Sequence, residues 1–440
     1  MHDLFSELKW RGLVHQSTDP ELGPKLLAGP FTVYNGLDPS SKSLHIGNLL
    51  GLVVLARFQK AGHKAIALAG GGTGFIGDPS GKSEERALLT AEQLAENVAG
   101  IQGEITRIFT HCGAGNIPLL NNADWLCKLS FIEFLRDVGK HFTVNVMLEK
   151  ESVRARLEDR QHGISYTEFS YMLLQAYDFL HLYDHPEYRC RLQVGGSDQF
   201  GNITAGCELL RRRNHLQPAK DHGSAFGLTW PLILRSDGKK FGKTEAGAVW
   251  LSPERTSPYE FYQFWINTPD ADAGRLLRFI TELSKEEIEA LERQTAAEPQ
   301  KRAAQKVLAQ KVTELVHGPD ERAKAEKASV ALFGGGKSKE GALADLDEAT
   351  LLELVKEAPS AALPKARLDG DGAGLLDLMA ESGLWPSKSE AKRAIQGGGA
   401  SLNNTKVSDL GRKVTAADLL HGKYLLLRKG KKEYFLFKAE

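Results

Sequence analysis

The stretch Phe31–Gly51, FTVYNGLDPSSKSLHIGNLLG, decides the fold of the first half of this chain. It begins with β-branched and aromatic residues, which predict a strand over Phe31–Tyr34. A loop rich in Gly, Asp, Pro and Ser follows, and the apolar run LLGLVVLARFQ then predicts a helix. The first N–H groups of a helix have no partner within that helix, so this strand–loop–helix arrangement is typical of a phosphate site.

The next segments extend this unit into a parallel sheet. Lys64–Ala69 predicts a second strand, and a strand–helix–strand order indicates a right-handed crossover between parallel strands. The following run GGGTG lacks the GxGxxG spacing with a later acidic residue, which disfavours a dinucleotide fold. Arg191–Val194 predicts a buried strand that ends at GGSDQ. Because ligands bind at the carboxyl ends of parallel strands, this loop and the loop Tyr34–Asn48 can line one cleft.

A polar stripe on a predicted helix is a further candidate for this cleft. Thr167–Tyr183 has helical periodicity, and Tyr171, Gln175 and Asp178 fall on one face of it. Polar groups are costly to bury unless they are hydrogen-bonded. The stripe is therefore either a substrate-facing surface or a set of core polar groups with partners in the protein.

Two short motifs carry the chemistry. His45-Ile46-Gly47-Asn48 lies in the first loop, where a histidine can donate to phosphate and a glycine lets a base approach the backbone. By itself this tetrapeptide is also compatible with an ordinary loop histidine. Far downstream lies Lys240-Phe241-Gly242-Lys243-Thr244, whose two lysines around a glycine form a cationic loop suited to polyphosphate.

Together, HIGN and KFGKT resemble the HIGH and Lys-Met-Ser-Lys-Ser signatures of the class I aminoacyl-tRNA synthetases. The stretches YNGLDPS, GDPSGKSEER, SYMLLQAYDFLHLY and LQVGGSDQFGNITAG narrow the resemblance to the tyrosyl-tRNA synthetases of bacterial type, over nearly all 440 residues. The resemblance implies activation of L-tyrosine by ATP to tyrosyl-adenylate and pyrophosphate, then transfer of tyrosine to the 3' end of tRNA(Tyr) for protein synthesis. It also implies that Mg²⁺ arrives with ATP.

The resemblance assigns roles to individual residues. Those implied to bind tyrosine are Tyr34 and Asp178 at the phenol, Asp78, Tyr171 and Gln175 at the ammonium group, and Gln199 near the carboxylate. Those implied to bind ATP are Gly36, Asp38, His45, Gly47, Asn48, Gly196, Asp198, Lys240 and Lys243. The implied catalytic donors are His45, Lys82, Arg86, Lys240 and Lys243. Two departures stand out: Asn48 replaces the second histidine of HIGH, and Phe241-Gly242 replaces Met-Ser.

Composition limits the class of protein and its location. Lys+Arg and Asp+Glu number 56 each, so any nucleic-acid surface must be local. The four cysteines, Cys112, Cys127, Cys190 and Cys207, lack CxxC or His-spaced pairing, which argues against a structural metal or a disulfide framework. The first residues do not form a signal or transit peptide, and no apolar run is long enough to span a membrane. The sequence therefore predicts a cytoplasmic protein.

Changes in composition divide the chain. We predict an α/β fold: a Rossmann-like parallel-sheet nucleotide-binding catalytic domain over 1–250, an all-helical anticodon-side domain over 251–318, a linker of partial order over 319–372, and a small α+β RNA-binding domain over 373–440. The linker is expected to hold one helix, ATLLELVKEAP. Ser130–Glu149 is expected to be a helix followed by an extended portion. The resemblance implies that this last segment forms the contact of a homodimer.

The final domain has a distinct charge. Residues 373–440 hold twelve basic and seven acidic residues, a net charge of +5, and resemble the RNA-binding module of a ribosomal small-subunit protein. A solvated basic face without a ligand is the alternative. The candidate RNA-binding residues are Lys388, Lys392, Arg393, Lys429, Lys431 and Lys432.

Three other functions share some of these sequence features. A small-molecule nucleotidyltransferase shares the phosphate loop but leaves the helical domain and the basic tail unexplained. A catalytically idle RNA-binding or scaffolding protein is disfavoured by the intact His45, Lys240 and Lys243. A tryptophanyl enzyme is the nearest enzymatic alternative, but Tyr34 paired with Asp178 suits a phenol.

Overall fold

The structure is a computed structural model, and it describes residues 3–80, 89–158, 163–234, 236, 241–244, 247–333, 343–356, 358–430 and 433–440. The chain forms two compact units: unit 1 holds 1–257 and 264–318, and unit 2 holds 258–263 and 319–440. Within the described residues, no helix is both long and apolar enough to cross a bilayer.

Unit 1 is built on a six-stranded sheet with the strand order β1-β6-β5-β2-β3-β4. Its strands are β1 (Gln16–Ser17), β2 (Thr32–Leu37), β3 (Lys64–Ala69), β4 (Leu119–Asn121), β5 (Leu192–Gly196) and β6 (Phe226–Trp230). All neighbours are parallel except β1 with β6. The chain builds outward from β2 to β4 and then returns to the other side of β2 with β5. The point between β2 and β5 is therefore the topological switch where open parallel sheets bind ligands.

Helices pack on this sheet, and further helices follow its last strand in the sequence. In the first part of unit 1 they are α1 (Leu4–Trp10), α2 (Leu22–Ala28), α3 (Ile46–Lys60), α4 (Ala91–His111), α5 (Ala123–Leu126), α6 (Phe131–Asp137), α7 (Val144–Leu148), α8 (Glu151–Glu158), α9 (Tyr166–Asp184) and α10 (Phe200–Leu216). A short hairpin of β7 (Lys243–Thr244) and β8 (Gly247–Ala248) follows. Next come α11 (Pro258–Ile266), which spans the division between the units, then α12 (Asp270–Ile280), α13 (Lys285–Ala297) and α14 (Ala303–His317).

The predicted parallel sheet and its main elements are confirmed. Lys64–Ala69 is a strand over its whole predicted length, and the predicted helix after HIGN is α3. The prediction of an extended portion before Glu149 is wrong, because Val144–Leu148 is a short helix. The β-branched residues there favour a strand, but Met147 is buried against neighbouring helices, and this packing overrides the local preference.

The predicted helical part packs onto the sheet domain through two buried arginines. Arg11 donates to the carbonyls of Arg278 and Thr281 at 3.0 Å, and Arg57 donates to those of Phe279 and Thr281 at 2.9 and 2.8 Å. These carbonyls end α12, where backbone acceptors lack partners within the helix. Residues up to 250 and residues 264–318 thus belong to one compact unit.

Unit 2 contains a five-stranded sheet with the order β12-β11-β14-β15-β9 and a two-stranded pair, β10 with β13. Its elements are α15 (Pro319–Phe333), α16 (Glu348–Leu354), β9 (Ser360–Leu363), β10 (Ala373–Gly374), α17 (Leu375–Glu381), α18 (Lys388–Gln396), β11 (Ala400–Leu402), β12 (Thr405–Lys406), β13 (Lys413–Val414), β14 (Tyr424–Lys429) and β15 (Glu433–Ala439). The predicted helix at Lys388 and the closing hairpin are present as α18 and β14–β15.

The described part of 319–372 differs from the linker that we expected. It holds the helices α15 and α16, and β9 pairs with β15 as an edge strand of the sheet. Leu363 and Leu368 are buried in the same core as Trp385. A short Ala-rich strand has little intrinsic preference for extended structure, so its hydrogen bonds to β15 decide its conformation.

Candidate active site

A cleft of about 310 Å³ opens at the carboxyl ends of β2, β3 and β5. It brings together every described residue that the resemblance implies for tyrosine or ATP, apart from Lys243, whose side chain lies outside the described part of the chain. These residues are Tyr34, Gly36, Asp38, His45, Gly47, Asn48, Asp78, Tyr171, Gln175, Asp178, Gly196, Asp198 and Gln199.

One end of the cleft holds a buried hydroxyl and a buried carboxylate. Tyr34 is 1% exposed and Asp178 is 2% exposed, and the Tyr34 hydroxyl has no hydrogen-bond partner among the described residues. A buried hydroxyl without a partner is costly. A ligand hydroxyl at this point would supply the missing bond.

Two side chains that the sequence reasoning missed hold Asp178 in place. Asn122 Nδ2 donates to one carboxylate oxygen at 2.9 Å, and Trp125 Nε1 donates to the other at 2.7 Å. Asn122 is itself fixed, because its Oδ1 accepts from Gly72 N at 2.7 Å. A signal for this pair exists in the sequence: NNADW begins at the end of β4, whose carboxyl end lies at the same edge of the sheet as those of β2 and β3.

Burial controls the charge of this carboxyl. Desolvation raises the pKa of Asp178 to about 7, although the hydrogen bonds from Asn122 and Trp125 favour the charged form. The carboxylate is thus a strong acceptor above neutral pH and is protonated progressively below it.

Further along the cleft, a second set of polar groups converges. Asp78 is buried; its Oδ2 accepts from Gln199 Nε2 at 2.6 Å and its Oδ1 accepts from Ser80 N at 2.9 Å. The pKa of the Tyr171 hydroxyl is raised well above its usual value by burial and by the charges of Asp38, Asp78 and Asp178. This grouping of acceptors suits a ligand cation.

The HIGN motif caps α3. His45 Nδ1 accepts from Gly47 N at 3.0 Å, and Asn48 Oδ1 accepts from His45 N at 3.1 Å. With Nδ1 as an acceptor, the neutral ring carries its proton on Nε2 and can donate from there. A Cβ at position 47 would lie 2.7 Å from His45 Cε1, so this cap requires glycine.

Two more cleft residues lie at the end of β5. A Cβ at Gly196 would lie 2.5 Å from Asp198 Oδ1, so a larger residue here would displace the Asp198 carboxylate. The pKa of Asp198 is raised by burial and by the neighbouring charge of Asp78.

The downstream lysine motif is described only in part. Lys82, Arg86 and Lys240 lie outside the described residues, and of Lys243 only the backbone is described, paired with Ala248. Gly242 has φ +89°, which favours glycine, and a Cβ there would lie 2.7 Å from Ile46 Cγ1. The replacement of the consensus serine by Gly242 thus matches the backbone of this loop.

Unit 2 carries the candidate RNA-binding residues. Lys392 and Arg393 are exposed on α18. Lys388 is paired with Asp377, and Lys429 Nζ donates to the carbonyl of Leu384 at 2.8 Å. Lys431 and Lys432 lie outside the described residues.

Comparison with known proteins gives consistent matches. The family model "tRNA synthetases class I (W and Y)" matches residues 26–334, and the model "Tyrosine--tRNA ligase SYY-like C-terminal domain" matches 354–437. The tyrosine–tRNA ligase of Roseiflexus castenholzii is 52% identical over 439 residues, covering 100% of both chains. That of Opitutus terrae is 51% identical and covers 99% of each. A solved structure of a C-terminally truncated Aspergillus nidulans mitochondrial tyrosyl-tRNA synthetase has a TM-score of 0.66 and 30% identity, covering 74% of this chain and 92% of that one.

Proposed function

This chain belongs to the class I tRNA synthetases of the tryptophan and tyrosine group, and from that premise we propose how its cleft activates tyrosine. It is a tyrosine–tRNA ligase, as are relatives about half identical over their full length. The observation that carries the residue assignments is the Tyr34 hydroxyl, which is buried, has no partner among the described residues and lies in the same cleft as the Asp178 carboxylate.

The phenol of the substrate binds at this end of the cleft. Its O–H donates to Asp178, and its oxygen accepts from the Tyr34 hydroxyl. Asp78, Tyr171 and Gln175 then receive the ammonium group, and Gln199 lies near the reacting carboxylate. Support comes from the convergence of these groups in one cleft and from the buried acceptor oxygens of Asp78.

The first step needs no protein base, because the carboxylate of tyrosine is ionised near neutral pH. That carboxylate attacks the α-phosphate of ATP, and pyrophosphate leaves. The protein brings two anions together and stabilises the charge that grows on the leaving group. The hydrogen-bond donors and positive charges for this stabilisation come from His45, Lys82, Arg86, Lys240 and Lys243. In the second step, a terminal ribose hydroxyl of tRNA attacks the carbonyl carbon of tyrosyl-adenylate, the ester bond forms, the acyl–phosphate bond breaks, and AMP leaves while the hydroxyl proton is released.

The nucleotide binds along the loops that end β2 and β5. Gly36, Asp38, Gly47 and Asn48 line one side, and Gly196 and Asp198 line the other. Mg²⁺ enters with ATP as part of the substrate, with phosphate oxygens as its main ligands. Among the described residues, no group of three His, Cys, Asp or Glu side chains could hold a metal ion.

Tyrosine-dependent exchange of pyrophosphate into ATP tests the assignment. Exchange is expected with tyrosine and not with tryptophan or phenylalanine, because only the phenol pairs both Tyr34 and Asp178. Equal exchange with tryptophan would contradict the assignment of the phenol site.

We propose that two copies of the chain form a homodimer through the segment 131–148. The segment 131–148 exposes large apolar side chains, including Phe131 at 63%, Ile132 at 70% and Val144 at 58%. Large apolar side chains exposed along one segment support an association surface there. We place a twofold homodimer contact here, in which each copy presents the same face to the other. We also infer that the protein is located in the cytoplasm, because its four cysteines are free and its composition is that of a globular protein.

Ile132→Asp is expected to convert the dimer to monomers. In a twofold contact the substitution buries two unpaired charges, and we expect the dissociation constant to rise by about 10²-fold or more. Sedimentation equilibrium over a range of protein concentrations measures this change. Ala290→Asp, which puts the same charge on the exposed face of α13, is the control and should leave the mass unchanged. A monomeric wild type would refute the dimer.

The basic residues of unit 2 hold tRNA. The double variant Lys392→Ala/Arg393→Ala removes two exposed cations that lie far from the cleft in sequence. We expect charging of tRNA to weaken while pyrophosphate exchange is unchanged. The log–log dependence of tRNA affinity on salt should flatten by roughly one unit per lost phosphate contact. Lys9→Ala in α1 is the control, and a loss of both activities together would mean that α18 supports the fold instead.

A further inference from the structure

The loop between β2 and α3, residues 38–45, carries both Asp38 and His45 and is held from outside the cleft by α4. Leu44 N, the backbone donor directly before His45, donates to Glu104 Oε2 at 2.8 Å. Glu104 is 5% exposed and Leu44 is 2% exposed, so no solvent replaces this bond if it is lost. At the other end of the loop, Asn97 Nδ2 donates to Pro39 O at 2.8 Å.

These contacts come from one stripe of α4. Asn97, Gly100 and Glu104 are three and four residues apart and lie on one face of the helix. A Cβ at Gly100 would lie 2.2 Å from the carbonyl oxygen of Lys42, so only glycine allows the loop to lie this close. The rest of the buried face of α4 is apolar, with Leu94, Ile101 and Ile105. Two buried polar residues and a glycine interrupt an apolar stripe where the loop crosses it.

The opposite side of the loop is fixed by the segment 249–252, which follows the lysine hairpin. Leu251 N donates to Leu44 O at 2.8 Å, and Ile46 N donates to Val249 O at 3.0 Å. The peptide groups on both sides of His45 are therefore held, and the acceptor for Leu44 N is the side chain of Glu104. The Glu104 carboxylate thus holds the peptide group between Ser43 and Leu44, next to the two that flank His45.

We propose that Glu104, supported by Asn97 and Gly100, is a positioning residue for ATP: it fixes the 38–45 loop through Leu44 N and so places His45 for the activation step. This rests on the proposed function of the cleft. Glu104 is not among the residues that line the cleft. The tyrosine groups Tyr34, Asp78 and Asp178 are held by other contacts, through β2, Asn122, Trp125 and Gln199. Loss of the Glu104 contact should therefore affect ATP and leave tyrosine alone.

The test separates the two substrates in the full-length protein. Glu104→Leu keeps the apolar bulk and removes the acceptor. A misplacement of about 1 Å can cost about 10²-fold in rate, so we expect adenylate formation at subsaturating MgATP to fall by about tenfold to a hundredfold. The equilibrium dissociation constant for tyrosine should stay within about twofold. Glu104→Gln retains a carbonyl acceptor for Leu44 N and should recover most of the activity. Gln102→Leu, on the exposed face of α4, is the matched control and should resemble the wild type.

Further variants keep the proposal testable if Glu104→Leu fails to fold, which loss of tyrosine binding and of the thermal transition would reveal. Gly100→Ala adds a Cβ that contacts the Lys42 carbonyl and so displaces the loop. Asn97→Ala removes the hydrogen bond to the Pro39 carbonyl. Each should raise the KM for ATP several-fold while tyrosine binding is kept. Equal weakening of tyrosine and ATP, or an unchanged KM for ATP in both variants, would overturn the proposal. A wild type without tyrosine-dependent exchange would instead refute the function of the cleft.

Discussion

Asp178→Asn is expected to lower kcat/KM for tyrosine activation by about 10²- to 10⁴-fold. The variant loses a charged acceptor for the phenol, worth about 1.5–3 kcal/mol, and its new amide N–H₂ faces a donor from Asn122 or Trp125, which adds about 1–3 kcal/mol. In the wild type, the Asn122 and Trp125 donors lie 2.9 and 2.7 Å from the two carboxylate oxygens of Asp178. In the variant only one of these positions is an oxygen, so one of the two donors loses its acceptor. Pyrophosphate exchange at varied tyrosine measures the effect.

The pH dependence of the same variant is the sharper control. Because burial raises the pKa of Asp178 to about 7, the wild type should lose tyrosine affinity below pH 7, by up to about tenfold per pH unit, as protonation removes the acceptor. Asp178→Asn should lack this slope. A slope that persists in the variant would assign the titration to another group.

Tyr34→Phe and Asp124→Asn complete this set. The Tyr34→Phe variant should narrow the preference for tyrosine over phenylalanine, since one of the two partners of the phenol is gone. For a tyrosyl enzyme, the ratio of kcat/KM for tyrosine to that for phenylalanine is about 10⁵, and the ratio in the variant is compared with this value. Asp124→Asn, exposed on α5, should change neither the affinity for tyrosine nor this ratio. An unchanged ratio in Tyr34→Phe would contradict the phenol site.

Lys243→Ala is expected to slow adenylate formation by about 10²-fold or more, with tyrosine affinity nearly unchanged. Its charge acts on pyrophosphate as it leaves, so its contribution is made mainly in the transition state. Equilibrium tyrosine binding and single-turnover activation separate the two effects.

Lys220→Ala, an exposed lysine at another point of unit 1, is the control for this charge. It should leave the rate of adenylate formation unchanged. If Lys243→Ala instead lost tyrosine binding and kept its activation rate, the role assigned to the lysine loop would be refuted.

The sequence by itself was enough for three of the six described strands of the unit 1 sheet, β2, β3 and β5, and for two loops that line the cleft. The β-branched, aromatic and apolar runs over 31–69 predicted β2, α3 and β3, because residue preferences for strand and helix are local properties of the chain. The spacing of Tyr171, Gln175 and Asp178 placed them on one face of α9, and that face does line the cleft. The sequence left open whether this polar stripe faces a substrate or is hydrogen-bonded within the protein. Both are true of Asp178, which accepts from Asn122 and Trp125 and also lines the cleft.

Only the tertiary structure decided which distant groups meet. Asn122 and Trp125 reach Asp178 because β4 lies beside β3, and Glu104 reaches Leu44 because α4 packs on the loop. Neither contact has a spacing rule, since the partners are 53 to 60 residues apart. The same reason explains β9: Ser360–Leu363 carries almost no strand signal of its own and becomes a strand by hydrogen-bonding to β15. Local patterns fix the elements, whereas burial and pairing across the chain fix the polar partners that position a site.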